Sequence, residues 1–441
     1  MAKHNVNTSP FTSDYSGNSR ILAEDCYISN DTWETGLNNN DLIVGVSGAG
    51  KTRGYVIPNI LQTQESLIVV DCKNTLYKKY TEHLTHKGYK IWCLDLENPE
   101  SSPVGYNPLS FIKITPDSAD SMALPYESQE IDGFCTYLCP MECNSDPFWD
   151  YLTRLYMSVY VSYCLEALPK EEQTLTSIAD LATLPTDDFE ILIESLRKRY
   201  PDSLAATRWD LIKNNRKIPK SDACAKLMCG EKLSSFVGLE DLFSNKEQID
   251  FQSMAKEKTI LFINASDSDR SQDKLLNLLY SQALHELCDF ADEQADSRLP
   301  IPVRLIFDDF AGTAKIPDFD KIISTIRSRE IYVSLIIQSL SQLNAIYGTH
   351  EASTIINNCD NCLYLGGQDV DTADYISQKA NRPLNQILNL PVGEAYLFTR
   401  GNGYRKVNKF DLDTLLPLYE IQNPITHTYN SFALYHQDIP F

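Results

Sequence analysis

The eight residues Gly45-Val-Ser-Gly-Ala-Gly50-Lys51-Thr52 constrain this chain more than any other feature, because they match the pattern G-x-x-x-x-G-K-[ST]. They follow an apolar run, DLIVG, and precede a possible helix. A strand, a glycine-rich loop and a helix in this order bind phosphates, since backbone N–H groups wrap the anion and the helix N-terminus adds a favourable dipole. The alternative interpretation is a glycine-rich turn without a ligand.

The loop predicts a site for ATP and Mg²⁺. Lys51 would reach the β- and γ-phosphates, and the hydroxyl of Thr52 would hold the metal ion. The predicted nucleotide contacts are Gly45, Ser47, Gly48, Ala49, Gly50, Lys51, Thr52 and Arg53.

A second motif, an apolar strand that ends in acids, is found at Val303-Arg-Leu-Ile-Phe-Asp308-Asp309. Asp308 is predicted to bind Mg²⁺ through water, and Asp309 to orient the attacking water. The second acid is usually Glu in hydrolysing enzymes of this type, and Asp309 is one methylene shorter. A misplacement of about 1 Å costs on the order of 10²-fold in rate. A strand end that faces solvent is the alternative.

Polar residues at other strand ends are weaker candidates. Asp71 would lie beside the loop if its strand neighboured that of the loop, and a strand-end cap is the alternative. Gln338 ends the run YVSLIIQ, where it would sense the γ-phosphate or begin a turn. Arg327 and Arg329 precede that run, either as an arginine finger for a neighbouring subunit or as partners of surface acids.

From Asp41 onward, short β-branched runs alternate with helical stretches, which predicts β-α-β units and a parallel sheet. The alternation stops near Pro108, where helical patterns with acidic caps begin, and it returns at Thr259. The predicted fold is therefore an α/β domain with an all-α insertion. The predicted strands are Leu42–Val46, Ser66–Asp71, Lys90–Leu96, Thr259–Asn264, Val303–Phe307, Tyr332–Ile337, Cys362–Leu365 and Ala395–Thr399.

This pattern divides the chain into segments. The predicted segments are an N-terminal arm or edge hairpin at 1–40, a nucleotide-binding domain in two parts at 41–124 and 236–415, the all-α insertion at 125–235, and a C-terminal tail at 416–441.

The 441 residues include 39 Lys and Arg against 60 Asp and Glu, a formal net charge of −21. This acidity argues against a general nucleic-acid coat, but it is compatible with a local basic patch or channel. The N-terminus lacks the apolar region of a signal peptide. No apolar run approaches the length of about 18 residues that a membrane-spanning helix needs. We therefore expect a soluble, cytoplasmic protein whose 12 cysteines are mostly reduced and buried.

One segment, from Arg197 to Lys232, carries ten basic residues and only four acids. With Tyr200 and Trp209 interleaved, it would contact phosphates and stack on bases, and a solvated helix face is the alternative. The candidate DNA contacts are Arg197, Lys198, Arg199, Arg208, Lys213, Arg216 and Lys217.

Two cysteine patterns are weak candidates for metal sites. Cys135, Cys139 and Cys143 fall on one face of a helix, but a fourth ligand is not evident and Pro140 would disturb that helix. Cys359-x-x-Cys362 lacks a second pair. Buried thiols are the favoured interpretation of both patterns.

From about Asp41 to Arg400, the chain resembles the TraG/VirD-type coupling proteins of type IV secretion and conjugation, with the matching segments in order. Those segments are GVSGAGKTRGYVIPNILQ, SLIVVDCKNTLY, GYKIWCLDLENPESSPVGYNPL, DPFW, LPIPVRLIFDDFA, KIPDFDKIISTIRSREIYVSLIIQSLSQL and INNCDNCLYLGG. The resemblance implies a RecA-like P-loop nucleotide-binding domain with an inserted all-α domain. It also implies a hexameric ATPase that links a relaxase–DNA substrate to a secretion channel and receives substrate or DNA at the insertion.

The chain departs from this family's pattern in three places. Members commonly open with transmembrane helices, which are not predicted here, so we expect a naturally soluble member or one anchored by a partner. Asp71-Cys72-Lys73-Asn74-Thr75 stands where the family typically reads Asp-Pro-Lys-Gly-Glu, and Asp309 replaces a Glu. These departures weaken the prediction of rapid hydrolysis and leave that of nucleotide binding unchanged.

Residues and resemblance together predict an ATP-binding coupling protein that recruits a relaxase–DNA substrate and drives single-stranded DNA transfer by ATP hydrolysis. The expected assembly is a homo-hexamer. The expected partners are relaxase, single-stranded DNA, channel components and a membrane-anchored protein that holds the chain at the inner face of the cell membrane. The alternatives are a weakly hydrolysing adaptor that recruits protein substrates without pumping DNA, and a soluble DNA translocase outside secretion.

Overall fold

A computed structural model describes residues 11–12, 18–113, 128–140, 147–215, 219–243, 246–266, 270–312 and 315–415, so the predicted tail at 416–441 lies outside it. Its strands form one sheet of nine and one of three. The strands are β1 (Phe11–Thr12), β2 (Ser19–Ala23), β3 (Cys26–Ser29), β4 (Asp41–Val44), β5 (Ser66–Val70), β6 (Lys90–Asp95), β7 (Thr259–Asn264), β8 (Val303–Phe307), β9 (Ile331–Ile337), β10 (Asn361–Tyr364), β11 (Glu394–Thr399) and β12 (Arg405–Asn408).

The large sheet has the order β12-β11-β10-β4-β9-β8-β5-β7-β6. The seven strands from β10 to β6 are parallel, and β11 and β12 extend one edge in antiparallel pairs. All eight strands predicted from the sequence are present, with bounds that differ by at most two residues. The predicted parallel α/β sheet is therefore confirmed.

Helices cover both faces of this sheet. They are α1 (Thr32–Thr35), α2 (Ile57–Gln62), α3 (Thr75–His86), α4 (Ser128–Leu138), α5 (Phe148–Ala167), α6 (Leu175–Thr183), α7 (Thr186–Arg199), α8 (Leu204–Asn215), α9 (Pro219–Leu233), α10 (Glu240–Phe243), α11 (Phe251–Met254), α12 (Asp273–Asp292), α13 (Phe319–Thr325), α14 (Leu340–Tyr347), α15 (Thr349–Asn357), α16 (Val370–Ala380) and α17 (Leu384–Leu388). Helices α4 to α11 lie between β6 and β7 in the chain; α4 to α9 fall within the segment 125–235 predicted as the all-α insertion, and α10 and α11 follow it. Within the described ranges, no helix is both long and apolar enough to cross a bilayer.

Two hydrophobic cores flank the large sheet, which explains why its strands are continuous apolar runs. Alternate residues of a strand point to opposite faces. Leu42 and Ile68 accordingly belong to the core that includes the helices of the insertion, whereas Ile43 and Val69 belong to the core that includes β2, α2 and α3. The sheet is thus buried on both faces.

The described part of the predicted arm or edge hairpin contains the hairpin β2–β3, which packs on α2, together with the short strand β1 and helix α1. The side-chain amide of Asn59 bonds both backbone groups of Ile21: its Oδ1 accepts from the N–H at 2.9 Å and its Nδ2 donates to the carbonyl at 2.8 Å. Ile21 is fully buried. Asn59 therefore satisfies backbone groups of β2 that would otherwise be buried without partners.

Asp41, the first residue of β4, is a buried carboxylate at the amino edge of the sheet. It accepts hydrogen bonds from Arg20 Nε at 2.8 Å and from the Tyr55 hydroxyl at 2.6 Å. Asn361 Nδ2 donates to its other oxygen at 2.9 Å. Asp41 thereby joins the hairpin, the helical turn after the loop and strand β10.

Arg304, the second residue of β8, extends this buried charge network. Its guanidinium pairs with Glu65 at 2.7 Å and lies 3.7 Å from Asp41, and its side chain is only 2% exposed. Burial alone would raise the pKa of Asp41, but the charges of Arg20 and Arg304 outweigh burial and lower it. Asp41 is therefore ionised and stabilising at neutral pH.

Replacing Asp41 by Asn should lower the free energy of unfolding by about 3–5 kcal/mol, because two buried arginines lose their shared counter-charge. Urea denaturation followed by circular dichroism measures the change. Since the pKa of Asp41 is lowered, the advantage of the wild type should persist above about pH 4 and shrink as the pH falls further.

The matched control is Lys90→Ala. It breaks the pair with Glu247, whose side chains are 39% and 62% exposed, and should cost less than about 1 kcal/mol. Equal losses in the two variants would contradict the stabilising role of Asp41.

Candidate nucleotide-binding site

The loop after β4 has the backbone of a phosphate-binding loop. Gly48 and Gly50 have φ values of 76° and 88°, in the left-handed region that favours glycine. A Cβ on Gly45 would lie 2.9 Å from the Cβ of Leu365, so this close approach also requires glycine. The glycines of the motif are therefore explained by local geometry.

The helix after the loop begins with a π-helical turn, Thr52–Val56, and continues as α2. Pro58 stands at the start of α2 and has no N–H to donate to the carbonyl of Gly54, four residues earlier. A wider turn before Pro58 accommodates the proline ring without ending the helix. This arrangement holds Lys51 and Thr52 at the carboxyl end of β4.

Lys51 and Thr52 lie beside the acids that follow β8. The ammonium of Lys51 donates to the carbonyls of Gly45 at 2.7 Å and Val46 at 3.2 Å. The hydroxyl of Thr52 donates to Asp308 Oδ2 at 2.9 Å. The two motifs, 256 residues apart in sequence, thus meet across β9, which lies between β4 and β8.

Asp309 and Gln338 contact each other next to this pair. Gln338, which follows β9, donates from Nε2 to Asp309 Oδ1 at 3.3 Å. Asp309 has a φ of 61°, and a Cβ on Gly312 would lie 2.2 Å from Asp309 Oδ2. The turn after β8 therefore places the carboxylate between Gly312 and Gln338. The sequence analysis did not identify Gly312, although a glycine shortly after a strand-end acid is a signal for such a turn.

Burial changes the ionisation of the central pair. It raises the pKa of Asp308, and the hydrogen bond from Thr52 and the charge of Lys51 oppose this effect only in part. Burial also lowers the pKa of Lys51, against the charges of Asp308 and Asp309. Both groups are therefore partly desolvated in a site that a charged ligand would complete.

These residues fit ATP and Mg²⁺. A glycine-rich loop at a helix N-terminus, together with an ammonium group, suits phosphates. Hydroxyl and carboxylate oxygens are the ligands that Mg²⁺ prefers. Lys51 and the loop would hold the phosphates, and Thr52 and Asp308 would hold the metal ion.

Asp71 does not approach the loop, because β9 and β8 separate its strand, β5, from β4. Its carboxylate accepts from the backbone N–H groups of Thr75 at 3.0 Å and Tyr77 at 2.9 Å. Asn74, where the family has glycine, has a φ of 50°, a conformation that asparagine tolerates. The two strands are not neighbours, so Asp71 is not beside the loop; the alternative, a strand-end cap, is what the structure shows, at the start of α3.

Arg327 and Arg329 lie at the opposite end of β9 from Gln338. Arg329 donates to both oxygens of Asp292, at 2.9 and 2.8 Å. Arg327 is exposed, donates to the carbonyl of Gly36 at 3.1 Å, and has no ion-pair partner in the described part of the chain. Strand β9 is seven residues long, about 3.3 Å per residue, so neither arginine reaches the loop of its own subunit.

Two members of the basic segment are core residues. Arg208 is 6% exposed and donates to Ser162 at 2.8 Å and Asp132 at 2.6 Å. Trp209 is fully buried against Phe189, with ring centroids 5.1 Å apart. The predicted phosphate contact at Arg208 and base stacking at Trp209 are therefore wrong, since both side chains are enclosed by the helical insertion.

Acids pair with two further candidates in this segment. Arg197 bonds Asp210 at 2.8 Å, and Lys213 bonds Glu190. Both pairs are partly exposed. Because each cation already has a carboxylate partner, a phosphate that binds Arg197 or Lys213 would have to displace that carboxylate.

Lys198 and Arg199 are the accessible candidates of the segment. Both are exposed at the end of α7, and Arg199 lies over the ring of Tyr200 at 5.2 Å. Arg216 and Lys217 lie outside the described residues. The DNA-contact hypothesis for this segment therefore depends on Lys198 and Arg199.

The cysteines considered as metal ligands are packed in the interior. Cys135 and Cys139 are buried, and burial raises the pKa of Cys135; Cys143 lies outside the described residues. Cys359 and Cys362 are also buried. In the described ranges, no group of three or more His, Cys, Asp and Glu side chains could hold a metal ion.

Lys409 and Asp413, which follow β12, contact the loop and the helical turn after it. No sequence motif predicted these contacts. Lys409 Nζ donates to the carbonyl of Ala49 at 3.1 Å. Arg53, a predicted nucleotide contact, pairs with Asp413 at 2.5 Å, and both side chains are more than half exposed. This contact depends on the β11–β12 hairpin, whose second strand returns the chain to the end of the sheet that carries the loop.

Residues 8–381 match the model of the family described as type IV secretory system conjugative DNA transfer. The chain is also similar to the VirD4 proteins of Agrobacterium fabrum and Rhizobium rhizogenes. Each is 21% identical over 383 residues, which cover 85% of this chain and 52% of the relative. The chain thus spans about half the length of the curated relatives it matches.

Solved structures share the fold. Plasmid coupling protein TrwB in complex with the non-hydrolysable ATP analogue ADPNP has a TM-score of 0.64 at 17% identity over 90% of each chain. TrwB with ADP and Mg²⁺ has a TM-score of 0.65 at 17% identity, over 90% of this chain and 91% of that one. VirB4 of Thermoanaerobacter pseudethanolicus has a TM-score of 0.54 at 13% identity, over 91% and 98%. The predicted RecA-like P-loop fold with an inserted helical domain is confirmed.

Replacing Asp308 by Asn should separate metal binding from folding. A raised pKa means that the ionised carboxylate destabilises the fold above that pKa. Without nucleotide at pH 7, the variant should therefore unfold at the same or a higher temperature than the wild type. This difference should shrink as the pH falls through the raised pKa of Asp308 and the carboxyl of the wild type takes up its proton.

Thermal unfolding with ATP, with and without Mg²⁺, completes this test. The Mg²⁺-dependent rise in Tm should be lost in Asp308→Asn and kept in Asp187→Asn, which changes an exposed carboxylate of α7. Full Mg²⁺-dependent stabilisation of Asp308→Asn would contradict the metal assignment.

Proposed function

The chain belongs to the type IV secretory system conjugative DNA transfer family, and on this premise we propose that it is an ATP-binding coupling protein. It recruits a relaxase–DNA substrate and drives single-stranded DNA into a secretion channel by ATP hydrolysis. The segments 41–124 and 236–415 form its nucleotide-binding domain, and the insertion at 125–235 receives the substrate. The protein acts in the cytoplasm, at the inner face of the membrane, through a membrane-anchored partner.

The observation that carries this proposal is the hydrogen bond from Thr52 to Asp308. Hydrolysis of a nucleoside triphosphate needs a phosphate cradle, metal ligands and a water-orienting acid in one place. The bond joins the cradle to the metal-binding acid, and Asp309 and Gln338 lie beside it. Candidates for all three requirements of the reaction class therefore lie at the carboxyl edge of the sheet.

Each side chain has a distinct role in the proposed reaction. Lys51 and the loop N–H groups hold the β- and γ-phosphates in place and offset charge that develops on them. Asp309 orients the attacking water, and Gln338 positions Asp309 by bonding its Oδ1. Thr52 and Asp308 hold Mg²⁺, which neutralises phosphate charge when bound.

The proposed homo-hexamer explains the placement of Arg327. This exposed cation lies at the amino edge of the sheet, away from its own loop. In a ring of head-to-tail subunits, one subunit's amino edge can face the next subunit's nucleotide. Arg327 would then act as an arginine finger in the neighbouring site, whereas Arg329 is held by Asp292.

A second candidate function is a nucleotide-binding adaptor that recruits protein substrates without pumping DNA. The geometry of Asp309 favours it, because this acid is shorter than the usual Glu and is packed between Gly312 and Gln338. A carboxylate about 1 Å too far from the water would slow hydrolysis on the order of 10²-fold.

Steady-state ATPase assays, with and without single-stranded DNA, distinguish the motor from the adaptor. We expect DNA-stimulated turnover in the wild type and its loss, with loss of ATP binding, in Lys51→Ala. Asp309→Glu should raise turnover by up to about 10²-fold if reach limits the rate. An unchanged ATP affinity and an unchanged rate of ATP turnover in Lys51→Ala would contradict the site assignment. ATP binding without turnover in the wild type would favour the adaptor.

The arginine finger is tested by comparing Arg327→Ala with Arg329→Ala. We expect Arg327→Ala to lower kcat by about 10³-fold or more while leaving ATP affinity unchanged, because such a residue stabilises only the transition state. Arg270→Ala is the control, since this arginine pairs with Asp273 and follows β7, which three strands separate from β4. A comparable loss in Arg329→Ala alone would move the role to that residue.

A further inference from the structure

A second cleft lies at the amino ends of the parallel strands of the large sheet. The phosphate-binding loop lies at the other end of these strands. The cleft is bounded by the ends of α15 and α16 and by the turn from β11 to β12, and its volume is about 860 Å³. Ligand sites commonly measure about 300–1,000 Å³. The side chains that matter here are those of Lys379, Arg382, Arg400 and Tyr404, all of which line the cleft.

The part of the chain that forms this cleft is basic within an acidic protein. Residues 375–410 contain six Lys and Arg and a single acid, Glu394, although the whole chain has a net charge of −21. Glu394 pairs with Lys406 of β12, and neither residue lines the cleft. The positive charge of this segment is therefore largely uncompensated by its own acids.

Among the described residues, two of the cations in the cleft have no acidic partner. Asp360, the carboxylate of the cleft, is 5% exposed and pairs with Arg400 at 2.9 Å. Lys379 and Arg382 have no carboxylate within ion-pair distance in the ranges the structure describes, and both are exposed. An anion entering the cleft would thus meet free positive charge without displacing a carboxylate from either of them.

Aromatic rings hold these cations in place. The guanidinium carbon of Arg382 lies 5.5 Å from the centre of the Tyr404 ring, and its Nε donates to the Tyr404 hydroxyl at 2.5 Å. Lys379 Nζ lies 5.2 Å from the centre of the Phe398 ring. The half-buried Tyr404 packs against Tyr396, with ring centroids 5.7 Å apart. A fixed ring beside cations is the arrangement on which unpaired bases stack while phosphates are neutralised.

We propose that this cleft binds single-stranded nucleic acid, with phosphates on Lys379, Arg382 and Arg400 and a base against Tyr404. The identity of the polymer rests on the proposed function. Headgroups of an anionic membrane also carry phosphates, but a concave cleft with an aromatic ring suits an extended strand with bases better than a flat lipid surface. The strand occupies the edge opposite the loop, so it does not compete with ATP.

The cleft also adjoins the proposed arginine finger. The carbonyl of Gly36 accepts hydrogen bonds from both Arg400, at 2.5 Å, and Arg327, at 3.1 Å. A phosphate that draws Arg400 away would therefore change the surroundings of Arg327. DNA bound in the cleft would thereby influence ATP hydrolysis through Arg400, Gly36 and Arg327. We expect the cleft variants to lose the stimulation of turnover by DNA while retaining basal turnover.

Fluorescence anisotropy of labelled oligo-dT with the full chain tests the proposal. Each phosphate contact to a single strand contributes about 0.7 to the slope of log K against log salt. Lys379→Ala combined with Arg382→Ala should therefore reduce that slope by about 1.4. Tyr404→Ala should weaken binding by about tenfold, whereas Tyr404→Phe keeps the ring and should bind like the wild type.

Lys406→Ala is the matched control, because it removes a positive charge from the same hairpin outside the cleft. Its slope and affinity should stay at the wild-type values, and unchanged unfolding midpoints verify that the variants are folded. Cleft variants that bind oligo-dT as the wild type does would overturn the cleft assignment and leave the proposed function standing. A wild type that binds no oligo-dT at low salt would overturn both. Cleft-dependent binding only to phosphatidylglycerol vesicles would replace nucleic acid with lipid as the ligand.

Discussion

The pairing of Asp41 with Arg20 and Arg304 is the interaction on which the rest of the structure depends. Strand β4 carries this carboxylate at one end and the phosphate-binding loop at the other, so the charge fixes the position of the loop along the sheet. A slip of one residue turns every side chain of a strand to the other face, and in a strand that is apolar on both faces this exposes no polar residue to a core, so the register needs another constraint. A buried carboxylate cannot move without leaving charged partners unpaired, which costs several kcal/mol. Tyr55 bonds the same carboxylate at 2.6 Å and thereby fixes the turn that carries Thr52.

The two edges of the parallel sheet have different tasks because all its parallel strands point the same way. At the carboxyl edge, the loop after β4, the acids after β8 and the amide after β9 converge, as they must when each follows its strand directly. The amino edge carries the buried charges, the exposed Arg327 and the basic cleft. The candidate nucleotide site is thus confined to the carboxyl edge, and the amino edge carries the residues proposed to meet a neighbouring subunit and a polymer.

Local patterns in the sequence were sufficient for most of the sheet and for the centre of the site. The eight central strands are apolar on both faces, and the loop has a motif that glycine geometry requires. Strand β12, Arg405–Asn408, was not predicted because an exposed edge strand of charged and polar residues has no apolar pattern. Arg208 was assigned to the surface because a sequence does not show that Asp132 and Ser162 will enclose its guanidinium. Tertiary partners, rather than residue types, decided these positions.

The replacement of Glu by Asp at position 309 shows how backbone geometry determines what a substitution means. From the sequence alone, Asp309 is one methylene shorter than the usual Glu, which would move its carboxylate away from the position that orients the water. In the structure, a left-handed turn directs that carboxylate to Gln338, and Gly312 leaves room for it where any side chain would collide. Asp309 is therefore held by Gln338, which follows β9, the strand between β4 and β8. The reach of Asp309 to an attacking water would depend on this turn as much as on the length of the side chain, so the proposed hydrolysis would depend on Asp309, Gly312 and Gln338 together.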